Sequence, residues 1–210
     1  MKAWMCALMS VLTCGAGYAQ ANAGGPGRPA LTMAVRTFLR SHGDLCVGKF
    51  TWPRVVTEAD RQARTSDAVQ LPVMERLGLV ESEAVPAVRP KSGPVTRYSL
   101  TAKGLQFYLH KKETVLGAHD RMIQRDADFC VGRLRVDKVV KWSRPQQIHG
   151  QLETMVLYTY RIKPADWMYD TQARKVFPVV DRIIRGQGNL LMSVTVQARN
   201  GDWVPVLPGQ

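Results

Sequence analysis

The chain has little cysteine, no histidine pair at metal-binding spacing, and no apolar run long enough to span a bilayer as a helix. The N-terminal apolar run, Ala3 to Thr13, is about eleven residues long, and a spanning helix needs roughly 20. The four histidines, His42, His110, His119 and His149, lack the i, i+4 spacing with an intervening Glu that a zinc hydrolase helix uses. Nor do they have the Cys or His companions of a structural zinc site. Gly-x-Ser-x-Gly, a phosphate-cradling glycine loop and a dinucleotide fingerprint are all missing. Gly186-Gln187-Gly188 follows an apolar helical pattern instead of opening one. No catalytic residue, metal ligand or cofactor is therefore assigned. Glu81 and Glu83 share a strand face by period two, and paired carboxylates can run glycoside chemistry, but on a strand such pairs are ordinarily solvated.

What is present at the N-terminus fits a secretory signal. Lys2 supplies the positive start, and Gly15, Ala16, Gly17 and Ala19 are the small residues before a cleavage site expected after Ala19. The alternative is a lipoprotein acylated at Cys14, which Val11-Leu12-Thr13 approaches poorly. Export leaves a periplasmic or secreted bacterial protein with no transmembrane segment in its mature chain. It removes Cys6 and Cys14, so the four cysteines become two, Cys46 and Cys130. In an oxidising compartment such a pair is expected to be bridged.

Those two cysteines sit in near-copies of one segment. Asp44-Leu45-Cys46-Val47-Gly48-Lys49 returns 84 residues later as Asp128-Phe129-Cys130-Val131-Gly132-Arg133. The echo runs in register to Val55-Val56 and Val139-Val140, each preceded by a basic residue, Arg54 and Lys138. It predicts that the two segments lie side by side in one sheet, within the roughly 7 Å that a bridge allows between Cα atoms.

The charge is one-sided: 29 Lys and Arg against 17 Asp and Glu, for +12 over 210 residues. Cleavage removes only Lys2 from this balance. A basic chain fits an acidic protein, an anionic envelope polymer or nucleic acid, although no run exceeds two like charges. The basic candidates for ligand binding are Arg89, Lys91 and Arg97 in the first half and Lys138, Lys141, Arg144 and Arg161 in the second. The latter interleave with Trp142, Tyr158, Tyr160, Trp167, Tyr169 and Trp203, which could form an exposed aromatic platform or pack into a core. If Val156 faces inward so do Tyr158 and Tyr160, and packing is the expectation.

Along the chain, residues 20–30 are rich in Gly and Pro and read as a flexible leader. Leu31 to Ser41 has helical spacing and stops at Gly43. A short helix ends at Leu77-Gly78, a strand starts at Leu79-Val80, and a Pro- and Gly-rich excursion precedes Arg97-Tyr98-Ser99-Leu100. Thr101 then caps a helix predicted through Leu109. This pattern, Leu-Gly-Leu-Val, a hairpin, then Tyr-Ser-Leu-Thr-Ala-Lys-Gly, resembles the winged-helix module of transcriptional regulators. The resemblance covers about residues 66–110 and implies that backbone arrangement for a unit spanning 31–112. It would imply DNA binding through the helix before Leu-Gly-Leu-Val, but Asp67, Pro72 and Glu75 there oppose contact with phosphate.

Residues 113–127 read as a linker, and 128–210 as an antiparallel sheet with one covering helix. Strands are expected at Phe129–Trp142, Met155–Ile162 and Leu190–Ala198. Asn200-Gly201 marks a tight hairpin, and Pro178 kinks or restarts a helix over 171–185. The fold expected is α+β. The leading functional reading is a non-enzymatic binding protein of the envelope, with an immunity or inhibitor protein as one form. An envelope hydrolase and a nucleic-acid-binding winged-helix protein are the alternatives.

Overall fold

Pro29 at the helix start and the buried stripe Leu31, Ala34, Val35 and Leu39 build α1 (Arg28–His42), as the periodicity predicts. The fold, a computed structural model, describes residues 25–86, 95–116 and 122–207, and within it the chain is α+β with a curled antiparallel sheet. That sheet contains β1 (Asp44–Cys46), β5 (Tyr108–Leu116), β6 (Met122–Trp142), β7 (Gln146–Ile148), β8 (Gln151–Ile162), β9 (Met192–Arg199) and β10 (Asp202–Pro205). Its order is β1-β6-β8-β9-β10, with β5 also on β6 and β7 on β8. A second sheet has the order β2-β4-β3, from β2 (Arg54–Val56), β3 (Val80–Val85) and β4 (Val95–Leu100). The short helices α2 (Glu58–Gln62) and α3 (Ser66–Arg76) lie between β2 and β3 in the chain. Buried side chains from α1, α3 and both sheets form one continuous core.

The disulfide expected from the sequence joins Cys46 to Cys130. Cys46 lies directly across from Cys130 in the β1–β6 ladder, with Cα atoms 3.8 Å apart. The repeat explains itself here, because the two copies run antiparallel and each Asp reaches the far end of the other copy. Asp44 accepts two bonds from the Arg133 guanidinium, at 2.7 and 3.1 Å. Asp128 accepts from the backbone N–H groups of Gly48 and Lys49, at 3.3 and 2.7 Å. The pattern Asp-x-Cys-Val-Gly-basic is thus self-complementary when inverted on itself. Past that segment the echo ends: Val55-Val56 belongs to β2 in the small sheet, whereas Val139-Val140 stays in β6.

The middle of the chain departs from the expectation. The helix capped by Thr101 is only α4 (Ala102–Leu105), and Tyr108 already begins β5. Tertiary contacts override local spacing here. Phe107 packs against Phe129 and Trp167 at 5.9 and 6.2 Å, and its carbonyl accepts from Cys130 N–H at 2.8 Å. The Tyr108 hydroxyl donates to the Phe50 carbonyl. Residues 113–116 and 122–127, read as linker, continue β5 and β6 as paired strands. Gly104 serves α4 by its lack of a side chain: a Cβ would lie 1.9 Å from the Leu79 carbonyl oxygen.

Elsewhere the local signals hold. Asn200 and Gly201 adopt φ of 52° and 86° and connect β9 to β10 with Arg199 opposite Asp202, the primed turn geometry that favours this dipeptide. The helix over 171–185 is two helices, α5 (Thr171–Val176) and α6 (Pro178–Arg185). Pro178 pushes the preceding residue out of the helical region, and Phe177 at φ −118°, ψ 58° uses the break to pack edge-on against Trp167 at 5.7 Å. Val156, Tyr158 and Tyr160 all face inward and are almost fully buried, and Tyr160 donates to the Ile183 carbonyl at 2.6 Å. Burial pushes the Tyr158 phenol up to about 12. The aromatics of β8 are core.

Candidate functional site: a basic face on β6 and β8

A regular strand points residues 135 and 138 to opposite faces. β6 does not do this, because its register against β8 slips by one residue between Val136 and Lys138 and again between Val139 and Lys141. Each slip is a bulge, leaving Asp137 and Val140 without a partner opposite. The inward residues become Val136, Val139 and Trp142, facing Tyr160, Tyr158 and Val156. The other paired set is Arg135, Lys138 and Lys141, opposite Arg161, Thr159 and Leu157. Two bulges convert a period of two into a period of three, and the basic residues of the sequence follow that period. All three are exposed, as is Arg144 just past the strand end. Arg135 to Lys141 spans roughly 20 Å at strand rise.

Of the basic residues expected to bind a ligand, this geometry brings together Lys138, Lys141 and Arg161, with Arg144 two residues past the end of β6. Arg97 lies on the other sheet, where it faces Glu83 across the β3–β4 ladder and pairs with it at 3.3 Å. Arg89 and Lys91 lie outside the described residues.

Arg135 and Arg161 are directly opposite one another, which costs energy for like charges. Asp137, freed by the first bulge, offsets this. It accepts from Arg161 at 2.6 Å and from the Thr159 hydroxyl at 3.0 Å. The Arg161 hydrogen bond, with that from Thr159, holds its carboxyl below the ordinary 3.8. Arg135, Lys138, Lys141 and Arg144 have no ion-pair partner among the described residues.

Arg135 also belongs to a groove that sequence reading missed. α1 runs beside β6: Arg28 at its start donates to the Val139 carbonyl and lies 5.3 Å from the centre of the Trp142 ring, while Gly43 just past its end accepts from Leu134 N–H at 2.7 Å. Between them lie Met33, Arg36, Leu39 and Arg40 on the helix side and residues 133–136 on the strand side. Met33, Arg36 and Arg40 form one stripe by the i, i+3, i+4 rule. That stripe was legible, but nothing in the sequence placed it beside Arg133 and Arg135.

A small enclosed space abuts the disulfide and is lined by His42, Asp44, Phe50, Lys111 and Asp128 among others. At about 30 Å³ it holds a water molecule or two, far below the several hundred Å³ of a small-molecule site. Among the described residues no group of three or more His, Cys, Asp or Glu could hold a metal ion, and no helix is long and apolar enough to cross a membrane. Comparison of the chain with protein-family models, with curated proteins and with solved structures returned no match.

Proposed function

We propose that this is an exported, non-enzymatic binding protein of the bacterial envelope that engages an acidic protein or an anionic polymer through the β6–β8 face. The observation that carries the reading is the double bulge in β6. It gathers Arg135, Lys138 and Lys141 onto one surface without a direct ion pair to any of them among the described residues. A row of like charges costs self-repulsion unless a partner of opposite sign completes it, so a geometry that concentrates them favours a polyanionic ligand. The Cys46–Cys130 bridge supports an oxidising compartment, since such bonds persist outside the cytosol.

The resemblance of the sequence over residues 66–110 to a winged-helix module enters this reading as a scaffold. The order β2-β4-β3 with α2 and α3 ahead of β3 supports it. Use of α3 in a DNA groove is opposed by its surroundings. Gln70 donates to the Val176 carbonyl at 2.9 Å, and Arg76 is held by Asp170 at 2.6 Å. Titration calorimetry with polyphosphate and with poly-glutamate tests the proposal. Binding should weaken at least about tenfold in Lys138→Ala/Lys141→Ala/Arg161→Ala, on the scale of three exposed charge contacts. Absence of binding to either polyanion, or binding indifferent to these substitutions, would count against it.

A further inference from the structure

We propose that the groove between α1 and β6 docks an extended segment of an acidic partner protein in which carboxylates alternate with apolar side chains. The inference rests on the binding role given to the basic face and goes further by naming what is recognised. The groove differs in chemistry from the open row beside it. Its floor includes Leu39 and Leu134, both nearly fully buried, with the half-buried Val136 beside them. Met33 is 56% exposed at its side, a flexible apolar group suited to a partner's side chain.

Every cation along this groove is an arginine: Arg36 and Arg40 on one wall, Arg133 and Arg135 on the other. The row farther along β6 carries lysines instead. Lysine is a point charge for diffuse attraction, whereas the guanidinium fork binds a carboxylate bidentately. Arg133 already demonstrates that mode on Asp44. Arg40 donates to the Thr37 hydroxyl at 2.9 Å, and Arg36 and Arg135 have no ion-pair partner among the described residues.

The spacing selects the backbone of the occupant. Arg36 and Arg40 are one helical turn apart, about 6 Å along the axis. Arg133 and Arg135 are two strand residues apart, about 6.6 Å. An extended peptide repeats the same side-chain direction every two residues, again about 6.6 Å. Carboxylates at i and i+2 therefore match the pitch of Arg36 and Arg40, with Arg135 across the groove and Arg133 retained by Asp44, and the residue between them points to the apolar side chains. A polymer of charge alone leaves the exposed Met33 and half-buried Val136 uncovered.

The test measures fluorescence anisotropy of the disulfide-bonded protein with labelled Glu-Leu-Glu-Leu-Glu and Glu-Ser-Glu-Ser-Glu peptides, beside polyphosphate and vesicles containing phosphatidylglycerol. The leucine peptide should bind about tenfold or more tightly than the serine peptide, as burial of even one leucine implies. Arg36→Ala/Arg40→Ala should weaken the leucine peptide about tenfold and polyphosphate less than about twofold. Lys138→Ala/Lys141→Ala should do the reverse. Both helix arginines are exposed, so folding is not at stake in the first variant. Equal affinity for the two peptides, or leucine-peptide binding that follows the lysines and ignores the arginines, overturns the groove assignment. Vesicle capture that needs Arg36 and Arg40 without peptide binding overturns it in favour of an anionic lipid. If the groove fails while polyphosphate still depends on Lys138 and Lys141, the broader binding role survives. If neither ligand binds, both fall together.

Discussion

Asp67 holds two cations at once: the ammonium of Lys49 at 2.6 Å and the guanidinium of Arg54 at 2.6 Å. Lys49 is only 2% exposed, so its charge is tolerated because of that carboxylate. Burial alone would push the Asp67 carboxyl up. The hydrogen bonds from Lys49 and Arg54, with their charges, outweigh burial and hold it below the ordinary 3.8. Asp67→Asn removes the countercharge and leaves a buried ammonium, a change that costs about 3–5 kcal/mol in comparable sites; urea unfolding at pH 7 measures it. The pH dependence follows from the direction of the shift. A carboxyl with a depressed folded value stabilises above its unfolded value and loses that contribution as pH falls through the folded value. Burial also pushes Asp44 up, and bonds from Arg133 and Lys111 hold it below 3.8 in the same way. Asp128 goes the other way, because burial raises it despite its three backbone donors, and it favours the folded state at low pH. Five carboxyls held below 3.8, those of Asp44, Asp60, Asp67, Asp137 and Asp170, against the one raised at Asp128 give a net loss of stability as pH falls below about 3.8. The Asp67→Asn variant should lose less between pH 7 and pH 3 than the parent protein, and an equal loss in both would remove Asp67 from the acid response.

At the scale of the element, β6 sets both the curl of the sheet and the display of the basic row. The bulged register makes opposite demands at neighbouring positions. Val139 is 2% exposed and Lys138 is exposed, yet in a regular strand Lys138 would share the face of Leu134 and Val136. Val139→Lys is therefore expected to cost at least about 3 kcal/mol as a buried unpaired charge, while Lys138→Val should stay within about 0.5 kcal/mol as a surface change. A reversal of that ranking in urea denaturation would mean that the strand runs without bulges. Much of this element was legible only in pieces. The strand from Phe129 to Trp142 could be read from its β-branched content, and the hairpin at Asn200-Gly201 and the break at Pro178 from residues that permit few backbone conformations. The bulges could not, because a basic residue every third position fits neither a two-residue nor a helical period. β5 was hidden for a related reason. His110, Lys111 and Lys112 are polar on both faces of the strand, and the apolar residues at 105, 107, 108 and 109 imitate a helix. The groove arginines each look like ordinary surface, and only the packing of α1 beside β6 joins them.

For the whole molecule, the covalent link closes a separation of 84 residues and ties β1, the end strand of the large sheet whose segment leads into the small one, to its neighbour β6. The sequence repeat revealed that link because the same six-residue pattern had to serve both sides of an antiparallel contact. Loop-closure entropy for such a separation is about 4–5 kcal/mol, so Cys46→Ser/Cys130→Ser should lower the melting temperature by about 10 °C; an unchanged temperature would mean that the noncovalent core alone carries the junction. The surplus of positive charge is also a property of the whole chain, and a polyanion could respond to it without any special face. Charge reversal at matched positions separates the two. Lys138→Glu/Lys141→Glu/Arg161→Glu and Lys112→Glu/Lys175→Glu/Arg182→Glu change the net charge equally, the second set at exposed residues away from the row. Polyphosphate affinity at fixed ionic strength is the deciding measurement. Local recognition requires a loss of about a hundredfold in the first variant and less than about fivefold in the second, the scale of a few charged contacts set against long-range attraction. Equal losses in both would show that net charge alone draws the ligand and that the bulged row has no binding role.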